Sequence, residues 1–224
     1  TVTALRSFCG FLHLEGVLMR SLVPAVPTVT YRHQAGLPKG LEPEEVRRIL
    51  TSCDTTSDNG VRDLAILTLL VRLGLRRCEV SRLGLDDIDW RAGTICVHGK
   101  GNCLERLPLP VDVGHYLAQY LRHARPAKAR GRTVFVRHFA PYNALSASRV
   151  STIVADAARR AGVGRVHAHR LRHTAATQLL RAGASLPEVG QVLRHRRAQT
   201  TAIYAKVDHD TLRVIARPWP EDAQ

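Results

Sequence analysis

The stretch RDLAILTLLVRLG, residues 62–74, is apolar almost all the way round a helical projection. A helix without a polar face has to be surrounded by other elements. It therefore demands a domain large enough to wrap it. A chain of 224 residues, 45% hydrophobic and 23% charged, supplies one good-sized core with room for a small second unit. Glu42 introduces Pro43, Glu44 and Glu45, which announces a helix with an apolar face of Val46, Ile49 and Leu50. Residues 112–124, 146–162, 169–182, 187–194 and 198–206 also read as helices, with Gly162, Gly164 and Gly183 as punctuation and Pro187 near a start. TICVHGKGNCLERLPLP, residues 94–110, differs: short β-prone runs flank a Gly-Lys-Gly-Asn turn, which predicts a hairpin, and TVFV (133–136) is placed to add a strand. Before all of this, Leu5, Phe8 and Leu12 recur at helical spacing within residues 1–19, and Pro24, Pro27 and AGLPKG make an extended connection to about residue 40. The expected fold class is mainly α with a small antiparallel β-sheet, an α+β domain preceded by an N-terminal helical stub.

Charge narrows the partner. Thirty-three Lys and Arg against 19 Asp and Glu give +14 and a sequence pI near 10.6, which points to a polyanion. The excess is concentrated: residues 161–197 hold seven Arg and four His against one acid, Glu188. Arg suits planar, bidentate contact with phosphate. No apolar run reaches the length of a membrane span, and residues 1–20 lack the pattern of a secretion signal, so the expected location is cytoplasmic. Cys9, Cys53, Cys78, Cys96 and Cys103 form an odd, scattered set without a CxxC pair, expected as reduced and mostly buried thiols rather than disulfides or zinc ligands. The chain opens on Thr1 without an initiating Met, which fits either a fragment or a processed product.

Four short stations carry chemistry-bearing side chains. In HAHRLRHTAATQLL (167–180), His169, Arg172 and His173 fall on one arc of a helix, while Leu171, Ala175, Leu179 and Leu180 lie on other faces. In LGLRRCEV (73–80), Arg76 and Arg77 follow a glycine at a helix start, where cations oppose the helix dipole but, beside free N–H groups, make a strong anion site. Glu79 is spaced to orient Arg76. Lys100 sits at the hairpin tip between glycines, and Tyr204 follows His195 by nine residues. Each station alone also fits an ordinary role: a basic helix face, an Arg pair on a loop, a lysine in a solvated turn, a packed aromatic.

Together, and in this order, the four stations resemble the tyrosine recombinase, or phage integrase, family. Its pattern is G-L-R-x-x-E, then G-K-G in a hairpin, then H-x-L-R-H, then L-G-H with a Tyr nine residues on. GLRRCE, GKG, HRLRH and His195 with Tyr204 fill it over about residues 37–207. The resemblance implies that Arg76 and Arg172 grip phosphate, Lys100 is the hairpin lysine, His169 and His195 are paired catalytic histidines, and Tyr204 is the nucleophile, with Glu79 and His173 in support. One departure is Arg194, where the family usually has Gly. It is expected either to add a phosphate contact or to disturb the turn.

The resemblance further implies a site-specific DNA recombinase or integrase, a DNA strand transferase of a mobile element, that cleaves and rejoins strands through a 3′-phosphotyrosyl intermediate. A phosphodiester attacked by a phenol passes through a pentacoordinate state with extra negative charge, which fixed guanidinium and imidazole donors stabilise. His169 is the candidate base and Lys100 the candidate acid on the departing 5′ oxygen. Because the phosphotyrosine keeps the bond energy, no metal or nucleotide cofactor is implied. Expected partners are double-stranded DNA and further copies of the chain, as a tetramer on DNA. Residues 1–36 would then be the end of a core-binding helical domain plus linker, 37–207 the catalytic domain, and 208–224 a tail that packs on its own domain or docks on a neighbouring protomer. Two alternatives share these residues. A catalytically silent DNA-binding remnant is disfavoured by the complete residue set, and type IB topoisomerase-like relaxation by length and motif spacing.

Overall fold

At the centre of the larger of two units lies helix α3 (Asp58–Arg72), the element expected to be surrounded, and Leu64 to Val71 along it are all buried. In this computed structural model, which describes residues 2–26, 40–99, 104–194 and 201, the units are Thr1–Gly36 and Leu37–Gln224. α3 begins four residues before the apolar run because Ser57 caps it, its hydroxyl accepting from the Gly60 N–H at 3.1 Å. Around α3 pack α2 (Pro43–Thr51), α4 (Arg77–Arg82), α5 (Val111–Gln119), α6 (Ala147–Arg160) and α7 (Ala168–Arg181). α5 runs on into a π-helical turn, Tyr120–Ala124. α2 starts as its residues predict: Pro43 stands in the first turn, and the Glu45 carboxylate accepts from the Glu42 N–H at 2.9 Å. Val46 and Ile49 are buried and Leu50 packs against the core.

Three antiparallel strands, β1 (Ile88–Asp89), β2 (Thr94–His98) and β3 (Leu104–Pro108), form a sheet in that order. The expected hairpin is β2–β3, paired with Cys96 opposite Arg106, and the short β1 adds an edge with Ile88 opposite Ile95. Ile95 and Val97 point into the core. TVFV does not join this sheet. Val134, Phe135 and Val136 are buried, but their backbone pairs singly with two different segments, Val134 N–H with Leu83 O at 2.8 Å and Phe135 O with Leu145 N–H at 3.0 Å. The run fills the core, where Phe135 stacks on Tyr120 at 5.3 Å.

α7 is held at both ends of its buried face. Thr174 accepts from the Leu41 N–H at 2.8 Å, joining α7 to the entry of α2. Beyond it, Ala176 forms a second small apolar cluster with Val189 and Leu193, which closes α8 (Leu186–Val192) onto α7. α8 is capped by Ser185 and Glu188, with Pro187 in its first turn. Gly162, Gly164 and Gly183 all have positive φ, as their punctuating role requires. Thr201 is helical and buried, and a Cβ at Gly190 of α8 would lie 3.0 Å from its hydroxyl. The remainder of the expected 198–206 helix, the tail, residues 27–39 of the connection and Cys103 lie outside the described residues.

In the smaller unit, α1 (Val2–Leu14) is followed by a short 3-10 turn, Val23–Ala25. Its spacing residues Leu5 and Phe8 are exposed, while Cys9 and Val26 are buried and Arg6 donates to Val26 O at 3.3 Å. Among the described cysteines Cys9 and Cys53 are buried and Cys78 and Cys96 only partly so, all as free thiols. Among the described residues no helix is long and apolar enough to cross a membrane.

Candidate functional site

The site starts at the turn between α3 and α4. Gly74 has φ 56°, and a Cβ on it would lie 2.6 Å from Leu193 Cδ2 and 3.4 Å from Ala175 Cβ, so both conformation and space require glycine. Its carbonyl accepts from Arg172 Nη1 at 2.6 Å, and Arg172 Nη2 donates to Leu193 O. Both carbonyls follow a helix end, where they lack an intrahelical partner. Arg172 is thereby drawn inward and is only 3% exposed. This corrects the reading that placed it on one surface arc with His169 and His173: its guanidinium goes under the helix to the two chain ends, while His169 stays exposed.

Arg76 precedes α4 and is held by Glu79. The carboxylate accepts from the Arg76 N–H at 2.7 Å and from Nη1 at 2.6 Å, and Arg76 Nη2 donates to Arg194 O at 3.2 Å. The Glu79 side chain is 1% exposed and that of Arg76 34%, so the guanidinium faces solvent above a buried anchor. Burial works to raise the Glu79 pKa, but the charge of Arg194 and the bonds from Arg76 outweigh it and hold the carboxyl below its ordinary value. Arg76 and Arg172, distant in sequence, thus bind successive carbonyls of one turn, Leu193 and Arg194.

His169 and His173, one helical turn apart on α7, meet edge to face with ring centroids 4.3 Å apart. Partial burial, then Arg172 and Arg76, lower the His169 pKa. Burial, then His169 and Arg172, push His173 down to about 4. Both imidazoles are therefore neutral at pH 7.

Arg194 contradicts the phosphate contact expected of it. Its φ is 56°, its side chain is 1% exposed, and Nη2 donates to Glu79 Oε2 at 2.9 Å while Nη1 donates to Val192 O at 3.1 Å. The spacing rule that found Arg76 and Glu79 carried no sign of this inward turn. The carbonyls of Gly74, Leu193 and Arg194 are further parts of the site that residue-type reasoning missed, since all three act through backbone. Of the predicted residues, the structure gathers Arg76, Glu79, His169, Arg172 and His173; Lys100, His195 and Tyr204 lie outside the described residues. Among the described residues no group of three His, Cys, Asp or Glu side chains is placed to hold a metal.

The larger unit is thus a helical domain that anchors two arginines on one turn, sets two histidines beside them and buries the Glu79 carboxylate beneath. Residues 39–210 match the phage integrase family. A Sinorhizobium fredii protein provisionally named integrase/recombinase y4rA is 46% identical over 225 residues, covering 99% of this chain and 54% of the relative, so the chain spans about half that relative's length. Tyrosine recombinase XerD of Listeria innocua is 34% identical over 211 residues, 92% of this chain and 70% of that protein. Among solved structures, XerH site-specific recombinase bound to a palindromic difH substrate superposes with a TM-score of 0.73 at 24% identity, covering 88% of this chain and 57% of that one. The chain belongs to the phage integrase family, the tyrosine recombinases, and its larger unit has their catalytic-domain fold.

Proposed function

We propose that this chain is a site-specific DNA recombinase or integrase that cuts and rejoins duplex DNA through a 3′-phosphotyrosyl bond on Tyr204. The observation that carries this is the shared anchorage of Arg76 and Arg172 on the carbonyls of Leu193 and Arg194, the two residues that directly precede His195 in the chain. His195, the next residue in the sequence, is the histidine that the family pattern assigns to catalysis. Fixed guanidinium donors of this kind stabilise the charge that develops on the equatorial phosphate oxygens without reorganising. The lowered pKa of His169 leaves a neutral imidazole at pH 7, the form that accepts the Tyr204 phenolic proton. Lys100 donates a proton to the departing 5′ oxygen, and His195 joins the donors on the phosphate. Attack by a 5′ hydroxyl of a second strand reverses the chemistry and releases Tyr204.

Duplex DNA is the partner that the +14 charge and the Arg-rich 161–197 segment favour. In this reading copies of the chain assemble on DNA as a tetramer in the cytoplasm, and residues 1–36 belong to a core-binding helical unit. The test is incubation with a nicked suicide duplex followed by denaturing electrophoresis. A covalent protein–DNA adduct that disappears in Tyr204→Phe supports the reading. No adduct, or one that persists in that variant, overturns it, and relaxation of a supercoiled plasmid without strand exchange would favour the topoisomerase alternative.

A further inference from the structure

We propose that Arg194 is a positioning residue: its guanidinium, buried against Glu79 and facing Glu105, fixes the carboxylate that holds Arg76. This rests on the recombinase reading for the role of Arg76, but the frame itself is visible in the fold. Glu79 Oε1 takes Arg76 Nη1, while Oε2 takes both the Arg76 N–H and Arg194 Nη2. A carboxylate 1% exposed, paired only with a guanidinium that is one-third solvated, would be poorly compensated for its burial. Arg194, equally buried, supplies the missing charge from below. Its own backbone carbonyl takes Arg76 Nη2, so one residue grips the Arg76–Glu79 pair at both ends.

Three elements meet at this side chain. Glu79 belongs to α4, Arg194 follows α8, and Glu105 Oε2 of β3 stands 3.9 Å from Arg194 Nε, a buried donor without a hydrogen-bond acceptor among the described residues. β3 follows, in sequence, the connection that contains Lys100. Arg194 thus ties the start of α4, the hairpin and the turn before His195 into one frame. The backbone supports the same conclusion. At φ 56° glycine is free of strain and an L side chain is not, so what arginine brings to this position is its guanidinium and not the turn.

The test uses the full chain with Arg194→Gly, Arg194→Gln and Arg194→Lys. Glycine relaxes the backbone and glutamine keeps the bulk, so if one variant fails to fold the other carries the experiment. Adduct formation at saturating suicide duplex is expected to slow about tenfold in both, to recover most of the way in the lysine variant, and to show its acid limb at higher pH, because Glu79 without the Arg194 charge protonates sooner. Duplex affinity and the slope of log K against log salt are expected to stay unchanged. A slope shallower by about one, with weaker binding, marks a phosphate contact and overturns the proposal. An unchanged rate and pH profile also overturns it. If the unmodified chain gives no adduct, the recombinase reading fails separately, and the proposal is then decided by the Glu79 carboxyl titration in ¹³C NMR, which must move upward in Arg194→Gln.

Discussion

At His173 the chain carries a titratable group that folding pushes down to about 4, by burial and by the neighbouring His169 and Arg172. Between about pH 6.5, the ordinary imidazole value, and about 4 the unfolded chain binds a proton there that the folded chain refuses. The contribution is therefore complete above about pH 6.5 and is lost as pH falls toward 4. For a ring only partly buried, allowing for solvent screening, it amounts to about 1–2 kcal/mol. Urea unfolding midpoints at pH 7, 5.5 and 4.5 should fall for the unmodified chain and fall less steeply for His173→Gln; equal slopes would refute the assignment. A second outcome at this scale concerns Gly74. Gly74→Ala combines a positive φ with a Cβ 2.6 Å from Leu193, and is expected to cost about 2 kcal/mol or more in the same assay. Because Gly74 O holds Arg172, the variant should also slow adduct formation. That His169 and His173 share one helix face, and that Glu79 holds Arg76, was legible from residue type and spacing. The inward turns of Arg172 and Arg194 were not, because they are set by carbonyls at the ends of α3 and α8, and a helical projection contains no information about which chain ends lie beneath it.

Between elements, the site depends on how α7 is pinned. The Thr174 hydroxyl takes the buried Leu41 N–H, and Glu42 beside it pairs with Arg181 at the exposed end of α7. The surface pair contributes little, whereas the buried N–H has no water to turn to. Thr174→Val keeps the shape and leaves that donor unsatisfied. It is expected to destabilise the chain by about 1–3 kcal/mol in chemical denaturation, with Arg181→Ala close to unchanged; the reverse ranking would contradict this account of α2–α7 docking. Helix existence was legible throughout the larger unit because α2, α3, α6 and α7 bury the positions their periodicity marks. One boundary and one strand assignment differ from the sequence reading, for physical reasons. α3 reaches back to Asp58 through a Ser57 cap that the polar sequence before the apolar run disguised, and TVFV is β-prone because it is buried, not because it pairs in a sheet. Strand β1 escaped notice because two residues carry no period.

Over the whole molecule the decisive quantity is charge. A net +14 with seven arginines between residues 161 and 197 predicts binding to duplex DNA governed by counterion release, in which each neutralised phosphate steepens the fall of log K with log salt. Among the described residues the geometry separates the arginines into two groups. Arg194 is buried and spends its donors on Val192 O and Glu79, so it adds to the site's field without a surface phosphate contact, while Arg172, buried on two carbonyls, is assigned in the proposed reading to the reacting phosphate alone. Arg76 and the exposed cations of the larger unit carry the remainder. If six to ten phosphates are engaged, affinity for a nonspecific duplex should drop by about 10³–10⁵ between 50 and 200 mM salt. Fluorescence anisotropy with a labelled duplex across that range measures it. Neutralising an exposed arginine such as Arg77, whose guanidinium donates to Ser151 on α6, should make the slope shallower by about one if it meets a phosphate, while Arg194→Gln should leave the slope alone. An affinity that does not change with salt would mean that the basic balance of the chain serves something other than the phosphate backbone.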